Sequence, residues 1–190
     1  MRTFETTGKA TIEIFLKEPI AKTTKVYHNG DLYFFRTFHH PQQRFKFNVA
    51  HAGKFAVSNE CDEIKVGELV IHQLEATLPP PDRNLLKPFK IVLNPKLTGT
   101  PARNFTHKGI IEISPKFKTY PFCTRKFILY HEKGHFFYKS EELADLWAAK
   151  EFIKDGYNNS SAFYALKNVL NFDSKINKDR LKHLFKNLHR

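Results

Sequence analysis

Three consecutive prolines, Pro79-Pro80-Pro81, divide this 190-residue chain. Proline lacks a backbone N–H and fixes φ, so Leu78–Asp82 can continue neither a central strand nor a helix interior. It reads as a stiff, extended spacer. The text before it is β-like. Thr11–Leu16, Thr24–Tyr27, Leu32–Phe38, Arg44–Val49, Lys54–Val57 and Glu68–Leu74 are short runs of strand-forming residues. His28-Asn29-Gly30-Asp31 between two of them is a hairpin signal, and Ala52-Gly53 and Val66-Gly67 punctuate others. Such a series predicts a small antiparallel sandwich or barrel over residues 1–78. After the spacer, Phe89–Leu93 and Gly109–Ile113 read as strands, with a loop at Asn94–Lys108 between them. From Pro121 the apolar spacing turns helical and predicts helices near 122–138, 141–155, 160–171 and 176–188. Asn159-Ser160 and Asp173-Ser174 have N-cap chemistry. The expected class is α+β, with domains at 1–78 and 79–190.

Composition limits the alternatives. Hydrophobic residues make up 41% of the chain and Phe alone contributes 19, enough apolar bulk for packed cores. Two cysteines, Cys61 and Cys123, exclude a disulfide scaffold and a Cys-based zinc finger. The apolar runs are too short for a membrane-spanning helix, and the first residues lack a signal-peptide core, so a cytoplasmic protein is expected. The net charge of +12 is uneven: residues 1–78 hold 10 Lys and Arg against 9 acids, and residues 79–190 hold 21 against 10. A basic second half favours an acidic partner or nucleic acid, above all at the Lys-rich C-terminal stretch Lys167–Arg190. There Leu181, Leu184, Phe185 and Leu188 fall at helical spacing, so one face packs and the other is basic.

The chemistry is concentrated in His131-Glu132-Lys133-Gly134-His135, an HExxH sequence. On a helix the two histidines stand one turn apart on one face, where both imidazoles can reach one Zn²⁺ at about 2.0–2.1 Å. Glu132 is offset toward the open side, where it can take a proton from a water on the ion. A third ligand is required, and Ser140–Ala148 follows at once. Glu141 and Asp145 are four residues apart on the next helix. One of these carboxylates can bind the metal while the other accepts an N–H from a ligand histidine. Glu142 is a rival ligand. Gly134, Ala144 and Ala148 are small enough to let the two helices approach closely.

The text RKFILYHEKGH followed by EELADLWAA resembles the gluzincin-type metallopeptidases. It is similar above all to the ImmA/IrrE group and to short phage-encoded zinc peptidase-like proteins. The resemblance spans about residues 86–155. It implies a minimal zincin-like domain with zinc held by His131, His135 and Glu141. It also implies Glu132 as general base; with Glu141 on the metal, Asp145 is the carboxylate of the pair left to stand behind a ligand histidine.

The resulting expectation is a zinc-dependent hydrolysis of peptide bonds. Three protein ligands leave one position for a water whose pKa falls toward about 7, and Glu132 carries its proton to the leaving amine. The strand Gly109–Ile113 precedes the motif helix, as the substrate-binding edge strand does in zincins, so Gly109, Ile110 and Ile111 are expected to bind a peptide as an added strand. Tyr157 and Tyr164 are candidate oxyanion partners. The first domain is expected to dock a partner or present substrate. Two other classes remain: a non-catalytic structural protein, such as a phage virion component in the particle or the host cytoplasm, and a basic nucleic-acid-associated protein.

Overall fold

A computed structural model describes residues 1–20, 23–38, 40–70, 77–82, 89–170 and 174–188, with the backbone alone at 19, 20 and 42. The chain forms two compact units, residues 1–72 with 154–158, and residues 73–153 with 159–190. The division therefore falls a few residues before the expected 78/79 boundary, and a short connector from the second half counts with the first unit. The class is α+β, with antiparallel sheets in the first half and, among the described residues, four helices in the second.

Among the described residues the first unit has seven strands: β1 (Arg2–Thr6), β2 (Ala10–Ile20), β3 (Thr23–His28), β4 (Asp31–Thr37), β5 (Gln42–Val49), β6 (Gly53–Val57) and β7 (Cys61–Gly67). They form two antiparallel sheets ordered β1-β6-β3-β4 and β5-β2-β7. Alternation decides the inner face: Ile12, Ile14 and Leu16 of β2 are buried, and Ile12 and Ile14 pair with buried Phe47 and Phe45 of β5. Rings bridge the sheets, Phe34 of β4 standing 4.8 Å from Phe47 of β5. The β3–β4 hairpin turns at Asn29-Gly30, whose φ angles of 50° and 90° fit a primed turn.

β1 lies in sequence with no strong strand pattern, and it forms because it pairs along β6. Among the described residues the unit's last strand is Cys61–Gly67; of the expected strand Glu68–Leu74, residues 68–70 lie outside any sheet and 71–74 lie outside the described residues. Its charged text hides a strand that exists through its register with β2, where Ile64 opposes Ile14. Two histidines of this unit pack against its aromatic residues. His28 stacks on Phe55 at 4.5 Å, and His51 Nε2 lies 2.9 Å from the Tyr157 hydroxyl.

The second unit contains β8 (Lys90–Leu93), β9 (Ala102–Phe105), β10 (Ile110–Ile113), α1 (Phe122–Gly134), α2 (Glu141–Lys154), α3 (Asn159–Val169) and α4 (Lys175–Leu188). Its sheet is ordered β8-β10-β9. β10 runs parallel to β8 and antiparallel to β9. Strand β9 arises inside the segment expected to be loop. Beneath the sheet, Ala102, Ile111, Phe117, Ile128 and Phe136 form a buried cluster. Ser174 caps α4, its hydroxyl accepting the Asn177 N–H; Asp173 lies outside the described residues. No helix of the described residues is long and apolar enough to cross a membrane.

Candidate metal centre

Helix α1 stops at Gly134, four residues before the expected end, and His135 is its C-cap. The chain then turns tightly, with the Phe136 N–H donating to Lys133 O and the Tyr138 N–H to Gly134 O. The proline spacer braces this turn. The Tyr138 hydroxyl donates to Pro79 O at 3.0 Å, and the Lys139 N–H donates to the Asp82 carboxylate at 3.0 Å. The Ser140 side chain then accepts the Leu143 N–H as α2 begins. Glu141 is thereby returned, after only five intervening residues, to the histidine face.

Close helix contact makes that return possible. A Cβ on Gly134 would stand 3.0 Å from Ala144 O and 3.1 Å from Ala144 Cα, both backbone atoms. Ala144 and Ala148 are fully buried, and Phe127 of α1 meets Phe152 of α2 edge to face at 5.8 Å.

The Nε2 atoms of His131 and His135 face each other 3.0 Å apart. Glu141 places Oε2 at 3.4 Å from His131 Nε2 and Oε1 at 3.3 Å from His135 Nε2. Two donors held at about 2.0–2.1 Å by one tetrahedral ion stand about 3.3 Å apart, close to the spacing of the two rings and of each ring from its nearer Glu141 oxygen, and one ligand atom from each of the three residues lies within 4.8 Å of the others. The far side of each ring is engaged as well. His131 Nδ1 is 2.8 Å from Asp145 Oδ1, and His135 Nδ1 donates to Tyr138 O at 3.2 Å. Each Nε2 is left to face the shared point. Among the described residues these three side chains form a His/His/carboxylate cluster of metal-binding dimensions. Glu142 does not belong to it.

Charge supports the same assignment. Glu132, Glu141 and Asp145 bring three carboxylates, and Arg180 is the guanidinium set among them. A divalent ion with both histidines neutral brings the group to balance. Burial opposes charge on His131, yet the hydrogen bonds from its ring to Asp145 and Glu141 outweigh it and push its pKa up to about 10. The hydrogen bonds from both histidines hold the Glu141 carboxyl well below the usual range, against the effect of burial. Burial works to raise Asp145, and His131 and Arg180 together hold it low.

The cluster opens on a cleft of about 470 Å³ lined by residues 99–104, by α1 and by the facing sides of α3 and α4. Glu132 lines it, 8% exposed, and its Oε2 accepts the Asn104 amide N–H at 3.3 Å. Asn104 lies on β9, and neither it nor Arg180 stands out in the sequence. The signal for Arg180 is its four-residue spacing from Leu184 and Leu188 on the buried side of α4. The sequence reading placed Phe185 on that side, and Phe185 is 50% exposed.

The strand expected to bind a peptide is the central strand of its sheet. Ile110 and Ile111 lie on β10, which is bonded to β8 on one side and β9 on the other, so it has no edge for an added strand. Gly109 precedes it as the left-handed cap of a 3-10 turn, with φ 63°. The outer strand on the cleft side is β9. Tyr157 counts with the first unit, and Tyr164 does not line the cleft. Comparison with protein-family models, curated proteins and solved structures finds no match to this chain.

Proposed function

We propose that this chain is a zinc-dependent peptidase acting on a protein or peptide substrate. The observation that carries the reading is the convergence of His131 Nε2, His135 Nε2 and Glu141, all within 3.0–3.4 Å of one another, beside a cleft that also holds Glu132. A zinc ion held by these donors would act as a Lewis acid on the scissile carbonyl and would lower the pKa of a water toward about 7. The residues do the rest. Glu132 takes the proton of the attacking water and delivers it to the departing amine. Asn104, donating to one Glu132 oxygen, holds that carboxylate in place. Asp145 fixes the His131 ring so that Nε2 faces the ion. The outer edge of β9 offers backbone groups along which an extended peptide lies across the cleft.

The test is Glu132→Gln beside the wild type, with zinc content and cleavage of a broad peptide library measured on both. Wild type and variant each hold one zinc per chain, and the wild type alone cleaves. Stoichiometric zinc with no cleavage by the wild type removes the peptidase reading and favours a metal-bearing scaffold.

A further inference from the structure

Arg180 is 9% exposed and lies on α4, apart in sequence from every other residue of the centre. All three guanidinium nitrogens are committed. Nε donates to Asp145 Oδ2 at 2.8 Å, Nη2 donates to Asp145 Oδ1 at 2.9 Å, and Nη1 lies 2.9 Å from Glu141 Oε2. One planar group thus ties the proposed third ligand to the acid that orients the first. The arrangement is more specific than charge neutralisation requires. Asp145 is fully buried and held by its helix, but the Glu141 side chain is half exposed on the first turn of α2. A carboxylate so placed has several rotamers, and only a subset faces the histidine pair.

We propose that Arg180 is a positioning residue that sets the Glu141 carboxylate on the two histidines before an ion arrives, so that metal binding does not bear the cost of ordering it. The inference rests on the reading of His131, His135 and Glu141 as ligands. Its mechanism is geometric. The fork fixed on Asp145 leaves Nη1 at one position, and Glu141 is drawn to it. Lysine at 180 keeps the charge but, as a point donor, cannot hold both acids in that plane.

The experiment measures Co²⁺ and Zn²⁺ affinity by chelator competition, and the Co²⁺ visible spectrum, for the full-length wild type, Arg180→Lys, Arg180→Gln, Glu141→Ala and the Arg180→Lys/Glu141→Ala double variant. The Lys variant is included because it keeps a buried cation opposite Asp145 and remains folded if the Gln variant does not, with unfolding curves on the metal-free proteins reporting this. The expected result is a loss of about 10–100-fold in affinity for Arg180→Lys, with a shifted Co²⁺ spectrum. In the Glu141→Ala background the same change has no further effect, because its action runs through Glu141. Wild-type affinity and spectrum in Arg180→Lys, with affinity lost in Glu141→Ala, overturn this inference and leave the ligand set standing. Equal losses from Arg180→Lys with and without Glu141 also overturn it, since the effect is then not transmitted by that carboxylate. A wild type that binds neither metal overturns the ligand reading and this inference together.

Discussion

His131 and Asp145 meet at 2.8 Å, Nδ1 to Oδ1, and that contact settles which ring nitrogen of His131 faces the cleft. Asp145 has no exposed surface, so it is held by its helix and by Arg180 rather than by water. In the proposed centre the pair turns a helix-surface histidine into an oriented ligand. Exchange of Asp145 for Asn removes the acceptor charge for both neighbours. Asp145→Asn is expected to bind zinc about 10–100-fold more weakly. It is also expected to lose about 3–5 kcal/mol of stability, because Arg180 stays buried without its counter-charge. Chelator competition and urea unfolding measure the two effects, and unchanged zinc affinity in a folded variant refutes the orienting role.

Gly134 is where the two site helices touch. Gly134→Ala puts a methyl against the Ala144 backbone at 3.0–3.1 Å, and backbone cannot swing away as a side chain can. The helices must part, at about 1–3 kcal/mol. Glu141 moves with α2, so zinc affinity falls in step. Thermal unfolding of metal-free and zinc-loaded protein separates the two: the loaded form loses more than the free form. Equal shifts in both count against a link between helix spacing and the ligands.

Under the proposed ligand set, protons and metal compete for this site. The folded pKa of His131, pushed to about 10, lies above its unfolded value of about 6.5. Its contribution to the metal-free protein is therefore complete below pH 6.5 and disappears as pH rises toward 10. Glu141 and Asp145 are held low, so their contribution is present above the ordinary carboxylate range and disappears as pH falls through it. Metal-free protein is expected to be most stable between about pH 4.5 and 6.5. Zinc affinity is expected to rise about tenfold per pH unit over pH 7–9, as His131 gives up one proton per ion bound. Calorimetry in buffers of different ionisation heat counts that proton. A flat affinity profile contradicts the prediction.

Asn104 bears on Glu132 alone among the proposed site residues. Asn104→Ala is expected to keep one zinc per chain at wild-type affinity while lowering kcat about tenfold, since a general base out of line loses part of its advantage. Metal analysis with steady-state kinetics tests this. A fall in zinc content instead of kcat assigns Asn104 to the ligand shell.

Asp82 reaches the site through the turn it braces. Asp82→Ala removes the acceptor for the Lys139 N–H and is expected to cost about 1 kcal/mol, with a modest loss of zinc affinity. Protease nicking between His135 and Glu141, faster in the variant, reports the loosened turn.

Features that depend on one element at a time were legible in the residues alone. Alternation in Thr11–Leu16, the Asn29-Gly30 turn, the helical text after Pro121 and the one-turn spacing of His131 and His135 each follow from the geometry of a single strand, turn or helix. Glu141 and Asp145 were legible as a pair for the same reason. The tertiary structure alone decided what depends on two elements meeting. Asn104 reaches Glu132 across 28 residues and Arg180 reaches Asp145 across 35. Strand β9, hidden in loop-like text, takes the outer position that the sequence assigned to Gly109–Ile113, and the triple proline serves as a brace where the sequence marked only a spacer. Local periodicity records which way a side chain points from its own backbone. It carries no record of which other backbone will be there, because that is set by the packing of whole faces.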